Sequence, residues 1–400
     1  MIYFKEMRHI NRMFCNICSP PKFARACSKS SQVNGNKTDE SPLRRLLDEA
    51  STYGEAETQA AEPEMRWATQ PYAARASPSE PPPRVLPRDT AVLLFPGQGS
   101  QYVGMGRRLM DIPAAKRLYE LASTVVGWDV GRVCVEGPEE ELERRCQTAV
   151  LVTSLAALER AREERAGALQ RVRAAAGFSL GEFGALVFAG ALTLETALRL
   201  VELRAAAMLA AAAERPGGML TLWLGADAQL GLALLRAREH AAERGVAQPV
   251  CQVANYLYPG CKVVAGDEPA LRWLERHGAE LGVRRAARVR VAGAWHTPLM
   301  ARAEAALREA LAAAEVRAPR LAVVSCVDAR AYGDARAVRR GLARHVARPV
   351  RWEQTLAALY SRPRGEQFPL TLALGPGSTL RSTLRQVNAR AWDSSLQIDV

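Results

Sequence analysis

The fold prediction rests on one stretch, Ala174-Ala175-Ala176-Gly177-Phe178-Ser179-Leu180-Gly181-Glu182-Phe183. A short apolar run ends in Gly-x-Ser-x-Gly, and apolar side chains at helical spacing follow. This pattern predicts a strand, a sharp turn and a helix, with the Ser179 hydroxyl exposed at the top of a sheet. Side chains at positions 177 and 181 would collide where the strand and helix cross. The free N–H groups of the helix would face charge developing near Ser179. The sequence therefore favours a nucleophilic serine over a chance match.

Composition is that of an ordinary globular enzyme. The chain has 400 residues, 48% hydrophobic and 24% charged, which is enough for one large and one smaller domain. The net charge is +12, of which residues 1–38 contribute half through seven basic residues and one acid. No apolar run approaches the roughly 20 residues that a membrane span needs. Basic and aromatic residues do not interleave as they do in nucleic-acid-binding surfaces. We therefore expect neither a membrane span nor a nucleic-acid partner.

The eight cysteines show no metal-binding spacing. Three lie in the first 38 residues, and the others are scattered as Cys134, Cys146, Cys251, Cys261 and Cys326. A second Cys-x-x-Cys and a histidine-rich partner segment are both missing, so we expect no metal site. The five scattered cysteines are predicted to be reduced and mostly buried thiols.

The first 88 residues differ from the rest of the chain. Residues 1–38 are basic, nearly free of acids and without a continuous apolar core, which favours an organelle-import presequence for mitochondria. A disordered tail or a wrongly assigned first exon is the alternative. Residues 39–88 are rich in Ala, Glu, Pro and Ser and are predicted to be a linker.

The body begins with a predicted buried strand, Ala91–Phe95, and the glycine loop Pro96-Gly97-Gln98-Gly99-Ser100-Gln101. A dinucleotide fingerprint would need glycine at position 102, where Tyr102 stands, and no P-loop lysine follows. The remaining interpretation is a loop whose backbone N–H groups face an anion.

Later segments predict an α/β fold with an inserted domain. Strands at 219–224, 250–254, 262–265 and 287–291 and helices at 227–244 and 267–281 give the β-α-β-β-α-β order of a ferredoxin-like unit. The α/β pattern then resumes, with strands at 321–327 and 370–374 and a last helix. We expect an α/β-hydrolase-like large domain with a parallel sheet, formed by 89–215 and 294–400, and a ferredoxin-like small domain at 216–293.

A serine hydroxyl needs an adjacent base, and the chain has only five histidines. His240 and His277 lie in charged helical stretches that favour a surface position. His296 follows a predicted strand and precedes a helix, and catalytic groups converge at such loops in α/β folds. His296 is therefore the better base, although a structural histidine remains the alternative.

Six motifs in order resemble the malonyl-CoA:acyl-carrier-protein transacylases of the free-standing mitochondrial kind. They cover about residues 90–385 and are the glycine loop at 95–101, Gly177–Glu182, Arg204 with Met208, Gly293-Ala294-Trp295-His296, Pro349-Val350-x-Trp352 and Gly375-Pro376-Gly377. The resemblance implies transfer of malonyl from malonyl-CoA to the phosphopantetheine thiol of acyl carrier protein, for fatty acid synthesis in the mitochondrial matrix. It implies no metal and no bound cofactor, and we expect a monomer.

The resemblance also implies a role for each site residue. Ser179 would attack the thioester and His296 would take its proton. The backbone N–H groups of Gln98 and Leu180 would form the oxyanion hole. Arg204 would pair with the malonyl carboxylate, while Met208 would line the acyl pocket.

At three further positions, the residue of this chain is compared with the residue that the family commonly carries. Trp295 stands where malonyl-selective relatives commonly carry Phe, and would restrict the space beside the α-carbon. His345 stands at a position commonly Gln, whose main-chain carbonyl would orient His296. Phe178 replaces a common His to which no role is assigned.

Two other functions stay open from the residues alone. A serine hydrolase would use the same turn, but it would order its triad as Ser, acid, His with a late histidine. A scaffold without activity that binds carrier protein would not need Ser179, His296 and Arg204 all intact.

Overall fold

The computed structural model describes residues 87–400. Nine strands run through this part of the chain: β1 Ala91–Phe95, β2 Val172–Gly177, β3 Gly217–Leu224, β4 Cys251–Tyr258, β5 Cys261–Asp267, β6 Val283–Arg288, β7 Ala322–Val324, β8 Leu370–Leu374 and β9 Ser395–Ile398. The α-helices are α1 Pro113–Val126, α2 Val130–Glu136, α3 Glu139–Gln170, α4 Gly181–Phe188, α5 Leu194–Glu214, α6 Leu230–Glu243, α7 Glu268–His277, α8 Ala301–Ala313, α9 Ala335–Arg344, α10 Trp352–Tyr360, α11 Thr379–Val387 and α12 Ala389–Asp393. The predicted presequence at 1–38, and the linker up to residue 86, lie outside the described residues.

A five-stranded parallel sheet forms the centre, in the order β7-β2-β1-β8-β9. All five residues of β1 are buried, and they alternate between two cores. Leu93 and Phe95 pack into the core that includes α3 and α5, whereas Val92 and Leu94 pack with α10 and α11. A sheet covered on both faces explains why its strands are continuous apolar runs, without alternating polar residues.

A second sheet is antiparallel, in the order β4-β5-β3-β6, and it comes from the segment between α5 and the end of β6. Helices α6 and α7 pack on this sheet in a separate core that contains Leu220, Leu222 and Val264. Its β4 strand also reaches the rest of the molecule, because the Tyr256 N–H donates to the Val350 carbonyl at 2.8 Å. The elements of this segment follow one another as β3-α6-β4-β5-α7-β6, which is the predicted β-α-β-β-α-β order.

Three strand assignments from the sequence were wrong or missing. The strand expected at 287–291 lies earlier, as β6, because this edge strand needs only one buried side chain near its start, Val283, and carries exposed arginines. The strand expected at 321–327 is limited to β7, since the chain turns at Ser325. Strand β9 was not predicted; its four residues are too few to show a period.

All five cysteines of residues 87–400 are free and buried, as the sequence predicted. No helix among these residues is long and apolar enough to cross a membrane.

Candidate active site

Ser179 sits in a strained turn between β2 and α4. Its φ of 51° is in the left-handed region, which non-glycine residues adopt at a cost and mostly at functional sites. A Cβ on Gly177 would lie 1.9 Å from the Gly181 carbonyl carbon, and one on Gly181 would lie 2.2 Å from the Phe95 carbonyl oxygen. Both glycines are thus required by close backbone approach, as the sequence predicted. The turn holds the Ser179 hydroxyl at the carboxyl end of the parallel sheet.

His296 lies against this hydroxyl. Its Nε2 is 2.9 Å from Ser179 Oγ, and its Nδ1 is 2.8 Å from the main-chain carbonyl oxygen of His345. A carbonyl only accepts, so Nδ1 carries the proton and Nε2 is left to accept from the serine. His296 also has a positive φ, 63°. The sequence placed these three residues together, and the geometry brings them together.

Burial controls the protonation of this histidine. Desolvation, followed by the charge of Arg204, lowers the pKa of His296 from an ordinary 6.5 to about 4. At neutral pH the imidazole is therefore uncharged and free to accept a proton.

Arg204 places a buried guanidinium at the same serine. It is on α5, only 1% exposed, and its Nη2 donates to Ser179 Oγ at 3.1 Å. Desolvation lowers the pKa of Arg204 to about 10, so the guanidinium stays charged at neutral pH. Within residues 87–400 it forms no ion pair, and its Nε has no hydrogen-bond partner. A buried cation without a counter-ion is costly and is suited to an anionic ligand.

Gln147 is the site residue that sequence reasoning missed. This buried amide on α3 accepts from Arg204 Nη1, and its Nε2 donates to Gln98 Oε1 at 3.3 Å and to Met208 Sδ at 3.8 Å. It thus joins the guanidinium to the glycine loop and to Met208, which is 1% exposed. The available signal was a polar residue inside an apolar helical run, but its partner lies 57 positions away.

The glycine loop abuts the serine turn. A Cβ on Gly97 would lie 2.3 Å from the Phe178 carbonyl oxygen, and the Phe178 N–H donates to the Phe95 carbonyl at 3.0 Å. Among the described residues, no protein group accepts from the backbone N–H of Gln98 or of Leu180. Both candidate oxyanion donors are therefore free, one on each side of this contact.

Trp295 is another site residue predicted from the sequence. Its ring is 5% exposed and lies beside Gly293, where an added Cβ would be 2.9 Å from the ring. Its indole N–H has no partner among residues 87–400. No hydrogen bond in that part of the chain links Trp295 to Ser179 or Arg204.

A second polar cluster lies behind His296. The Glu182 carboxylate accepts from the Cys326 N–H at 2.8 Å and from the Tyr332 hydroxyl, and His345 Nε2 lies 3.2 Å from Cys326 Sγ. Donor atoms of Glu182, Cys326 and His345 all lie within 4.8 Å of one another, a spacing that could hold a metal ion. The contacts here are internal hydrogen bonds, which tie α4 to the turn after β7. No role for Glu182 was predicted from the sequence, because its partners are 144 and 150 residues away.

Comparisons with known proteins show the family of the chain. Residues 92–368 match the family described as acyl transferase domain. The chain is 46% identical over 318 residues to a probable mitochondrial malonyl-CoA-acyl carrier protein transacylase of Drosophila melanogaster, with 79% of this chain and 84% of that one covered. It is 42% identical over 319 residues to the mitochondrial malonyl-CoA-acyl carrier protein transacylase of Homo sapiens, covering 79% and 82%.

A solved structure extends the likeness to the fold. It is a malonyl-transacylase in complex with a type II PKS acyl-carrier protein, and it matches with a TM-score of 0.69 and 31% identity over 78% of this chain and 96% of that one. The fold and site define an acyltransferase of the α/β class with a parallel sheet. More narrowly, the chain belongs to the family of malonyl-CoA-acyl carrier protein transacylases.

Proposed function

We propose that this chain transfers the malonyl group from malonyl-CoA to the phosphopantetheine thiol of acyl carrier protein, for fatty acid synthesis. The observation that carries the proposal is the buried guanidinium of Arg204, which forms no ion pair within residues 87–400 and lies 3.1 Å from a serine oxygen that is itself 2.9 Å from a neutral histidine. A nucleophile beside a fixed cation suits an acyl group that ends in a carboxylate. The transacylases of Drosophila melanogaster and Homo sapiens support the same substrate pair by name.

The first half-reaction forms an acyl-enzyme. Ser179 Oγ attacks the thioester carbonyl carbon while His296 Nε2 takes the hydroxyl proton. The C–S bond then breaks, and the proton passes from His296 to the coenzyme A sulfur as the thiol leaves. In the second half-reaction the carrier thiol gives its proton to His296 and attacks the serine ester. As the ester C–O bond breaks, His296 returns this proton to Ser179 Oγ, which regenerates the hydroxyl and the neutral imidazole. The transfer is ping-pong and uses no metal or bound cofactor.

The oxyanion of each tetrahedral intermediate would accept from the backbone N–H groups of Gln98 and Leu180. Support comes from their lack of any other acceptor within residues 87–400. Such donors act in a water-excluded site and typically contribute about 3–4 kcal/mol of transition-state stabilisation each. The His345 carbonyl keeps His296 in the tautomer that this sequence of steps requires.

Arg204 would bind the malonyl carboxylate through its Nε–Nη2 edge, because Nη1 is already held by Gln147. A planar guanidinium matches a carboxylate with two parallel hydrogen bonds. Met208, one helical turn further along α5, would line the acyl pocket, and Trp295 would limit the space beside the α-carbon.

We also propose that residues 89–215 and 294–400 form an α/β-hydrolase-like large domain, and that residues 216–293 form a ferredoxin-like small domain. The serine turn at the end of β2 supports the first name. The β4-β5-β3-β6 order of the antiparallel sheet, with two helices on it, supports the second.

The cellular setting follows from the relatives. The two animal relatives are named mitochondrial, and the basic composition of residues 1–38 suits an import presequence. We propose a mitochondrial matrix enzyme that acts as a monomer.

The test is intact-mass spectrometry of the protein mixed with malonyl-CoA. A malonyl adduct on Ser179 that disappears on addition of acyl carrier protein, with malonyl-carrier formed, supports the proposal. An adduct lost to water at the same rate with or without a pantetheine thiol identifies a serine hydrolase instead. No adduct, with carrier protein still bound, identifies a scaffold.

A further inference from the structure

A second cavity, separate from the serine site, is lined by arginines. It has a volume of about 450 Å³ and lies beside the turn after β7. Its lining includes four arginines: Arg330, Arg340, Arg344 and Arg351. The only carboxylate in that lining is Asp328, whose Oδ2 is 3.6 Å from Arg344. Ser179, His296 and Arg204 do not line it.

The residues that line this cavity carry a net charge of +3, from four arginines and one aspartate. Apart from Arg344, none of these guanidinium groups forms an ion pair or a side-chain hydrogen bond with any residue of 87–400. Like charges facing one concave space repel one another, and because Arg330, Arg340 and Arg351 are exposed, solvent screens part of this repulsion. An anion in the cavity would remove that repulsion.

Helix electrostatics account for only part of the cluster. Arg340 and Arg344 lie in the last two turns of α9, where basic side chains complement the helix dipole. Arg330 comes from the turn after β7, and Arg351 directly precedes α10. The fold thus brings guanidinium groups from three separate elements to one cavity, and the dipole of α9 does not explain the other two.

Size and chemistry select the occupant. A concave space of this volume falls in the range of small-molecule sites, roughly 300–1,000 Å³. Tyr332 and Gly341 in its lining pack closely, since an added Cβ on Gly341 would lie 2.2 Å from the tyrosine hydroxyl. Guanidinium forks match phosphate oxygens with paired hydrogen bonds. We propose that this cavity binds a small phosphate-bearing anion of the diphosphate class.

Inorganic pyrophosphate is the probe, titrated calorimetrically into the full-length protein without magnesium. We expect binding that weakens about 10- to 100-fold in Arg340→Ala and in Arg351→Ala, because each removes charge-assisted hydrogen bonds. Arg351→Lys should lose only part of the affinity, since it keeps the charge but not the fork. The matched control is Arg336→Ala, an exposed arginine of α9 outside the cavity, which should bind like wild type.

Two sources of the phosphate group are separated by repeating the titration with saturating coenzyme A. If coenzyme A competes, and Arg340→Ala raises the KM for malonyl-CoA with kcat unchanged, the cavity takes the phosphates of the substrate. If pyrophosphate still binds, the ligand is a separate phosphate compound. Hydrogen exchange should localise protection by pyrophosphate to 335–351 in either case.

Two results would overturn the inference. One is equal affinity in Arg336→Ala, Arg340→Ala and Arg351→Ala. The other is no pyrophosphate binding to wild type; if Arg351→Ala then also binds acyl carrier protein more weakly, this is a protein-docking surface. None of these results bears on acyl-enzyme formation at Ser179, so the proposed transferase activity is tested independently.

Discussion

The guanidinium of Arg204 donates a hydrogen bond to the hydroxyl oxygen of Ser179, with Nη2 3.1 Å from Oγ. The same oxygen faces His296 Nε2 at 2.9 Å. One buried atom is therefore shared between a base and a cation. A carboxylate bound on the Nε–Nη2 edge of Arg204 would displace this contact and lie close to the nucleophile, as the two ends of a malonyl group require.

Replacing Arg204 should change acyl selectivity. Removal of one partner of a desolvated, hydrogen-bonded charge pair costs roughly 2–5 kcal/mol, or about 30- to 4,000-fold in kcat/KM. We expect Arg204→Ala to lose malonyl transfer by that margin, while acetyl transfer falls little or rises because no unpaired cation is left beside a neutral acyl group. Arg204→Lys should recover part of the loss.

The measurement is kcat/KM for malonyl-CoA and acetyl-CoA with each variant. Arg199→Ala, an exposed arginine on the same helix, is the control and should leave both values unchanged. Equal losses for the two thioesters in Arg204→Ala would make Arg204 a structural residue.

Ser179→Ala should abolish the acyl-enzyme, and His296→Ala should slow its formation by on the order of 10⁴ or more, because the pair acts as a unit. Stopped-flow or quench measurements with labelled malonyl-CoA give the rates. His277→Ala, a half-exposed histidine of α7, should behave as wild type. Near-normal malonyl transfer by either active-site variant would contradict the assignment.

The sequence predicted the parts of the site that depend on local backbone chemistry. The glycines around Ser179 predict a close crossing of strand and helix, and the structure contains that crossing. Gln147 and Glu182 were not assigned because a polar side chain in a helix has meaning only through its distant partners. The edge strand β6 was misplaced for a related reason, since its arginines are exposed and Arg288 pairs with Glu268 and Glu275 of α7.

A chain that begins at Asp89 should fold and transfer malonyl groups at the full-length rate. The first strand of the large sheet starts at Ala91, whose N–H donates to the Arg171 carbonyl at 2.9 Å, and residues before it show no core-forming pattern. Circular dichroism, thermal unfolding and malonyl transfer would be compared with the full chain. Insolubility of the shorter chain, with the full chain soluble, would show that earlier residues belong to the fold.

Trp295 should restrict branched acyl groups. A bulky ring next to the α-carbon leaves little room for a methyl branch, and overpacking of this kind costs about 1–3 kcal/mol. We expect wild type to prefer malonyl-CoA over methylmalonyl-CoA, and Trp295→Leu to reduce that preference. Trp273→Leu, on α7, is the control for losing an indole. Thermal unfolding identifies any general loss of stability, and equal kcat/KM for the two thioesters in wild type would refute the prediction.

The pH dependence of acylation should report the burial of His296. Its pKa lies near 4, first because of desolvation and second because of the charge of Arg204. The base works only when neutral, so kcat/KM should stay constant below neutral pH and fall as the pH drops through about 4. A histidine with an ordinary pKa would instead give this fall near pH 6.5. Acetyl-CoA has no carboxylate of its own to titrate and gives the cleanest profile.

Binding of malonyl-CoA should move this acid limb of the pH profile to higher pH. A malonyl carboxylate bound to Arg204, as proposed, would offset its charge and so remove one of the two causes that lower the pKa of His296. For malonyl-CoA, the acid limb of the pH profile of kcat should therefore lie at higher pH than the acid limb of the profile of kcat/KM. For acetyl-CoA, the two limbs should coincide. Arg204→Ala should raise the acetyl-CoA limb as well, though not to the ordinary value, because burial remains. Circular dichroism at each pH checks that the protein stays folded. A free-enzyme limb near 6.5 with both thioesters would show that His296 is solvated and that the site is not closed to water.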